Sequence, residues 1–418
     1  MLSRAKLARR FKAVLIRSVL TAPIATLLHA IEEVLSADEA QPLYLEVPVS
    51  SCSNIDVLCV IVNDDEFSFQ LVKSIYSPSI RSSVLGLTIA QTAAQHFVDN
   101  LAVEIELNPD SGVSPSLPEE LLSAIQVSKD DHPRATLMSW VLILSYFRNA
   151  SSRLRISYSS QLREANLVSE NLIPLLHEVL NVAERGKPID ISIWDVPSFD
   201  FSLMESTSLK PIPLAAYVYF LALRTVPSQI RSWWEDCRNK QLSMSVVSFI
   251  SRQFSPILIS QELGKFKEPA TIQLLSDENM SIKVSPVIKE VKVTYTVDEE
   301  SMEIVVRIPS DYPLQPVEVL DIRKVGIPDT TWRAWLLVVQ QSIANHNGSI
   351  AEAIGLFKKN ISLHFEGVEA CAICYAIISV VDRSLPSKAC RTCRNRFHPS
   401  CLYKQVKFKN FSSLHAAY

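Results

Sequence analysis

Three short cysteine and histidine pairs near the end of the chain restrict its fold more than any other feature. Cys371-Ala372-Ile373-Cys374, Cys390-Arg391-Thr392-Cys393 and His398-Pro399-Ser400-Cys401 gather five of the eight cysteines into the last eighth of 418 residues. A two-residue gap lets both donors of a pair reach one ion, while the amides of the turn face the thiolates. In an interleaved two-metal finger, the first and third pairs share one ion and the second and fourth share the other. On that order Cys371, Cys374, His398 and Cys401 form a complete Cys3His zinc site. Cys390 and Cys393 form half of a second zinc site, because no cysteine follows Cys401. Fifteen residues separate Cys374 from Cys390, enough for the first loop of such a finger. A structural zinc site contributes on the order of 10 kcal/mol directly to folding. Two other readings compete: a pair of redox dithiols, or one distorted site that takes all six donors. The redox reading calls for a thioredoxin-like strand and helix around the pairs, and the surrounding sequence has neither.

Composition bounds the rest. At this length the chain holds two to four domains. A formal charge of −3 provides no global basic field, which argues against coating of nucleic acid. The eight glycines never lie closer than seven positions. That spacing excludes glycine-rich phosphate loops, and neither a dinucleotide fingerprint nor a nucleoside-triphosphate loop is present. Metal-spaced cysteines imply a reducing compartment, and Cys52, Cys59 and Cys237, in apolar surroundings, read as buried thiols. The apolar runs 137–147 and 214–223 are too short to span a bilayer and read as buried helices, so no membrane partner is expected. Residues 1–30 carry Arg4, Lys6, Arg9, Arg10, Lys12 and Arg17 without an acid. They read as a basic helix opening the first domain, with a transit peptide as the alternative.

The organisation is multidomain. Residues 1–265 read as all-α, with apolar faces such as Ile24, Leu27, Leu28, Ile31, Val34 and Leu35, then Leu172, Leu175, Leu176, Val179 and Leu180. Successive amphipathic helices with short breaks predict a helical-repeat solenoid. The pattern changes near Ile282. Val291, Val293, Tyr295 and Val297 alternate with polar residues, and Met302, Ile304, Val306 and Ile308 do the same after Asp298-Glu299-Glu300, which predicts a hairpin. The Tyr312-Pro313-Leu314-Gln315-Pro316 turn and a strand over 317–322 follow. Two helices come next, one started by Asp329 or Thr330 and carrying Trp332, Trp335, Leu336, Val339 and Ile343. The other is capped by Ser349 with Glu352, and its inner face is Ile350, Ile354, Phe357 and Ile361. Sheet and helices make an α+β domain over 270–365, and the finger occupies 366–418.

Several segments carry a family likeness: Pro227 to Lys240 (PSQIRSWWEDCRNK), the run SRQFSP ending at Pro256, Ser260-Gln261-Glu262-Leu263, the YPLQP turn, and CAIC through KACRTCRNRFHPSCLYK. Through them the chain resembles the C-terminal part of the listerin family, RING-type E3 ubiquitin ligases of ribosome-associated quality control. The resemblance implies HEAT-like repeats over 1–265 and an RWD domain over 270–365 that docks on the large ribosomal subunit, with ribosomal RNA as the only nucleic acid. It implies a cytosolic RING-type finger that recruits a ubiquitin-conjugating enzyme, with Ile373 at the contact, so that ubiquitin passes to a stalled nascent chain. A RING holds the loaded enzyme in a reactive pose and contributes no nucleophile, so no catalytic residue is expected.

The likeness stops after Lys404. There the family has a tryptophan, a loop and Cys-Pro-Leu-Cys, whereas Gln405 to Tyr418 is unrelated. Weak ligase activity is therefore expected of this chain, and the alternative function is a non-catalytic ribosome-binding scaffold. From Arg383 onward there are eight basic residues and no acid, among them Arg391, Arg394, Arg396, Lys404, Lys407 and Lys409. They read as solvated charge, with a patch for RNA or an acidic protein as the alternative. Trp233 and Trp234 read as core packing.

Overall fold

The computed structural model describes residues 75–76, 80–107, 115–127, 132–183, 187–199, 201, 211–297, 300–381, 384–390 and 393–403. The basic N-terminal segment, the Ile24–Leu35 stripe, Cys52, Cys59, Arg391 and the segment from Lys404 onward lie outside them. The chain divides into two compact units, one made of the chain up to Asn181 and Ile189–Leu221, the other of Val182–Pro188 and the chain from Ala222.

The first unit is helical. In α1 (Ile80–Leu107) the residues Leu87, Ala90, Ala94, Val98 and Leu101 recur at helical spacing and are buried. α1 and α2 (Glu119–Val127) both pack on α3 (Pro133–Ser145). α3 starts with a proline, whose missing N–H costs nothing in the first turn, and every residue from Ala135 to Leu144 is buried. α4 (Ser152–Glu164) is capped by the Ser151 hydroxyl. A π-helical turn at Val168–Leu172 then leads into α5 (Ile173–Val179). The stripe Leu172, Leu175, Leu176, Val179 and Leu180 is buried as its spacing predicts. One buried amide joins these pieces. Trp140 Nε1 donates to Asn171 Oδ1 at 2.9 Å, and Asn171 Nδ2 donates to the Ile125 carbonyl at 2.9 Å. In α6 (Ile212–Thr225) the Tyr219 hydroxyl lies 3.1 Å from His177 Nε2. Burial holds the His177 ring down at about 4 and pushes the Tyr219 hydroxyl up.

The second unit begins with α7 (Pro227–Glu235), α8 (Lys240–Gln253), α9 (Ser255–Gly264) and α10 (Pro269–Leu275). Asn239 caps α8 by accepting from the amides of Gln241 and Leu242. No single described helix is long and apolar enough to cross a membrane. The sheet is an antiparallel meander in the order β1 (Met280–Ser285), β2 (Glu290–Val297), β3 (Glu300–Arg307), β4 (Glu318–Arg323). Across β2 and β3 the pairs Val291–Val306, Val293–Ile304 and Tyr295–Met302 share one buried face. On the wet face Lys292 pairs with Glu303, and Arg307 with Glu290. α11 (Asp329–Ala344) and α12 (Ile350–Phe365) cover the dry face with Trp332, Trp335 and Val339, and with Ile350, Ile354, Phe357 and Ile361. The Trp332 and Phe357 rings meet edge to face at 5.6 Å. Tyr295 reaches from the sheet to Ser362, hydroxyl to hydroxyl at 3.2 Å.

The structure departs from the sequence reading at several points. β1 and α10 are additional elements; β1 carries Ser281, Lys283 and Ser285 and buries little, so its alternation is faint. Ser349 caps α12 as expected, accepting from the Glu352 amide at 3.2 Å. α11 does not use Asp329 or Thr330 as its cap: the extended backbone of Pro328 starts the helix one residue earlier, leaving Asp329 in the first turn beside the positive end of the helix dipole. Trp233 and Trp234 are half-buried and not core, and Cys237 is partly exposed because it lies just past the end of α7.

Helices and sheet domain are joined through buried polar groups. The Arg231 guanidinium donates from Nε and Nη2 to the Pro313 carbonyl at 3.2 and 3.0 Å. Nε also donates to Leu314 O at 3.2 Å, and Nη1 to Ala344 O at 3.1 Å. Glu262 accepts from the Ile350 amide at 3.2 Å, at the positive end of α12, and its other oxygen pairs with Lys265. The Ser228 amide donates to Asn347 Oδ1 at 3.0 Å.

Removing the guanidinium leaves three carbonyls without a donor. Arg231→Met is expected to lower hydrogen-exchange protection of α7 and α11 in the full chain by about 30- to 1000-fold, the equivalent of roughly 2–4 kcal/mol. Lysine is not expected to restore it, since one ammonium cannot span three carbonyls as the planar fork does. Unchanged protection would show that Arg231 does not join these elements. A second expectation concerns the first unit. A His177 pKa of about 4 in the folded chain against 6.5 in the unfolded one makes the unfolded chain take up the proton first as pH falls. The stabilisation is therefore complete above about 6.5 and is lost progressively towards 4, by up to about 3 kcal/mol. Thermal unfolding at a series of pH values should show this loss, and His177→Phe should flatten it.

Candidate metal centre

The donors come from three short segments. Cys371-Ala372-Ile373-Cys374 forms a tight knuckle in which the Tyr375 amide donates to Cys371 O at 2.7 Å and the Cys371 amide to Ala376 O at 3.0 Å. The chain leaves it through Tyr375 at φ 58°, in the left-handed region. The same two features recur around Cys390 and Cys393: the Arg394 amide donates to Cys390 O at 3.0 Å, and Arg394 has φ 60°. Cys390 and Cys393 lie between the strands of a two-stranded hairpin, β5 (Lys388–Ala389) with β6 (Arg396–Phe397). The Ala372 amide donates to Arg396 O at 3.0 Å, which sets the first knuckle beside the end of β6. His398 follows directly, and residues 399–403 turn helical with the Leu402 amide bonded to His398 O at 3.1 Å. One helical turn puts Cys401 on the side of His398.

The fold brings Cys371, Cys374, His398 and Cys401 together, with one ligand atom from each lying within 4.8 Å of all the others. Cys371 and His398 are buried, Cys374 and Cys401 half-buried. His398 Nδ1 stands 3.4 Å from Cys374 Sγ and 3.7 Å from Cys401 Sγ. A tetrahedron with metal–donor bonds of about 2.1–2.3 Å has edges of roughly 3.5–3.8 Å, so these separations suit a single ion. The tautomer is fixed as well. His398 Nε2 lies 3.0 Å from the Ile377 carbonyl, which can only accept, so Nε2 carries a proton and Nδ1 is the nitrogen left to face the thiols and to ligate an ion once its own proton is displaced. The group is crowded with protons of its own. The hydrogen bond with Cys401, and then burial, push the Cys374 thiol up to about 12. Burial opposes charge on His398, but its bonds to Cys374 and Ile377 outweigh this and hold the ring up at about 9. A divalent cation would displace those protons, the behaviour of a thiolate metal site.

Among the described residues this is the only group of three or more metal-capable side chains gathered so closely. Cys390 and Cys393 lie outside it, the first half-buried and the second exposed. Ile373 is half-buried between the two ligands of its knuckle, next to the exposed Tyr375. Arg394 and Arg396 are exposed. Asn360, fully buried in α12, has no place in the sequence reading: its Oδ1 accepts from the amides of Ile377 at 2.7 Å and Ile378 at 3.0 Å. A single amide side chain next to Ile361 on an otherwise apolar stripe was its one signal.

Comparison with known proteins gives the chain a lineage. A family model described as the LTN1 family HEAT repeat region matches residues 62–267, and a ubiquitin conjugating domain-like model matches residues 280–364. The E3 ubiquitin-protein ligase listerin of Schizosaccharomyces pombe is 37% identical over 324 residues, covering 74% of this chain and 20% of that protein. Its namesake from Saccharomyces cerevisiae is 29% identical over 372 residues, 82% of this chain and 23% of that protein. The Gallus gallus protein is 34% identical over 289 residues, 66% of this chain. The chain belongs to the listerin family. It spans about a fifth of the length of the first two of these relatives. A HEAT-like helical region followed by a ubiquitin-conjugating-like α+β domain is thus its architecture. No cysteine lies between Cys237 and Cys371, so the conjugating-like domain of this listerin-family chain has no thiol to carry a ubiquitin thioester.

The knuckle geometry is open to test. Tyr375→Gly, which suits a positive φ, should leave metal affinity within about twofold in a cobalt competition titration, whereas β-branched Tyr375→Val should weaken it by about 5- to 150-fold. Equal affinities for the two variants would show that the left-handed residue does not shape the site.

Proposed function

We propose that this chain acts as a RING-type E3 ubiquitin ligase of ribosome-associated quality control, with zinc bound by Cys371, Cys374, His398 and Cys401. In this reading it works in the cytosol on large ribosomal subunits that hold a stalled nascent chain. The observation that carries it is the four-donor group, built in interleaved order in a chain whose relatives are named E3 ubiquitin-protein ligase listerin. Bound zinc supplies a structural cross-link and takes no part in bond making. The remaining work belongs to the chain. The first knuckle presents Ile373 to a ubiquitin-conjugating enzyme, and the finger holds the loaded enzyme so that a substrate lysine attacks the thioester. Orientation is the contribution, since it converts encounter into a near-attack geometry. The conjugating-like domain, read as an RWD domain, is the proposed ribosome-docking element. Having no cysteine, it plays no part in the transfer itself.

A second reading is a non-catalytic ribosome-binding scaffold. It is favoured by the way Arg231 and Glu262 join helices and sheet domain without any help from the finger.

Elemental analysis of the purified chain should find a tightly held zinc ion that His398→Ala loses. Discharge of ubiquitin from a loaded conjugating enzyme should be weak but measurable, and Ile373→Ala should reduce it at least tenfold. Co-sedimentation with large ribosomal subunits and no discharge at all would select the scaffold; failure to sediment would remove the ribosomal role from both readings.

A further inference from the structure

Asn360 is the one fully buried amide side chain on the face of α12 that meets the finger. Its Nδ2 donates to the Leu356 carbonyl at 2.8 Å, one helical turn back, which sets the orientation of the side chain. Oδ1 then faces away from α12 and accepts from two consecutive amides, Ile377 and Ile378. Both isoleucines are buried, so neither amide has water to fall back on. The Ile377 carbonyl and the Ile378 amide belong to one peptide group, and that carbonyl oxygen accepts from His398 Nε2. A continuous hydrogen-bonded path therefore leads from the middle of α12, through one residue of the finger, to the ring whose Nδ1 faces Cys374 and Cys401.

We infer that Asn360 is a positioning residue of the metal centre: by fixing the Ile377 peptide it fixes the tautomer and tilt of the His398 imidazole, and it anchors the ligand set to the conjugating-like domain. The inference rests on the metal-binding reading above. It goes beyond that reading in placing part of the control of the site on a residue outside the finger. Groups that orient a metal-bound histidine usually change metal affinity by about 10- to 100-fold when they are removed. Near-isosteric Asn360→Leu keeps the helix and its packing volume while deleting both hydrogen-bonding ends.

The test uses the full-length chain loaded with zinc, and separately with cobalt. Zinc release into excess chromophoric chelator is timed for the wild type, Asn360→Leu and Ile361→Val, the last a control that trims the neighbouring apolar residue and leaves the path intact. Asn360→Leu should release zinc about 10- to 100-fold faster than the wild type, and Ile361→Val within about twofold of it. The visible absorption of the cobalt form should change in Asn360→Leu alone. Hydrogen exchange should speed up at Ile377 and Ile378 but not at Ile354 to Phe357 of α12. If the wild type holds zinc and Asn360→Leu releases it no faster, the metal reading stands and the positioning role falls. If the wild type holds neither metal, both fall. Lost protection along α12 itself would also overturn the inference, since Asn360 would then be a general stabiliser of the helix.

Discussion

The helix Ile350–Phe365 carries the second unit, because two kinds of contact meet on it. Its apolar residues close the dry face of the sheet, and its single buried amide satisfies two backbone donors of the finger. An asparagine inside a helix gives up some helix propensity and competes for backbone partners. Here the competition is resolved by geometry, since one end of the amide bonds back to Leu356 and the other leaves the helix altogether. Leaving either finger amide unsatisfied would cost about 1–3 kcal/mol, which exceeds the propensity loss. The first turn of the same helix is held by a carboxylate from another element, Glu262. The helix thus receives polar support at its start and delivers it near its end.

The finger itself is too small to stand on apolar burial. Among the described residues between Cys371 and Tyr403 the buried apolar ones are Cys371, Ala376, Ile377, Ile378 and Pro386, with Ser379 and His398 as buried polar neighbours. A segment of that size ordinarily needs cross-links, and thiolate–metal bonds supply them where disulfides do not form. The knuckles show the same economy. Positions that commonly go to glycine are filled by Tyr375 and Arg394 in the left-handed region, in a chain that has eight glycines in all. Such local strain is small beside the roughly 10 kcal/mol that an ion would contribute at a structural zinc site of this kind.

Local patterns were legible in the amino-acid order; distant partnerships were not. Alternation at Val291, Val293 and Tyr295 against Met302, Ile304 and Val306 predicted β2, β3 and their shared face, because side chains in a strand repeat every two residues. Ser349 announced its helix, and ligand spacing singled out four donors that the fold gathers within 4.8 Å. The rest depends on contacts far apart in the chain. Nothing around Arg231 reveals that its acceptors are Pro313, Leu314 and Ala344, more than eighty residues away. Trp233 and Trp234 are half-buried, which helical periodicity alone could not foresee. Asn360 was visible only as an oddity, since the amides it serves belong to another segment.

The Arg231 clamp and the Glu262 carboxylate also bear on how this molecule can be cut. A fragment starting at residue 280, where the conjugating-like match begins, keeps all four strands and both covering helices. It nonetheless strips three carbonyl oxygens of their cation and a helix start of its anion. Sequence homology and mechanical integrity therefore place the edge of this domain at different residues, and a piece meant to be soluble and rigid has to be excised ahead of Pro227.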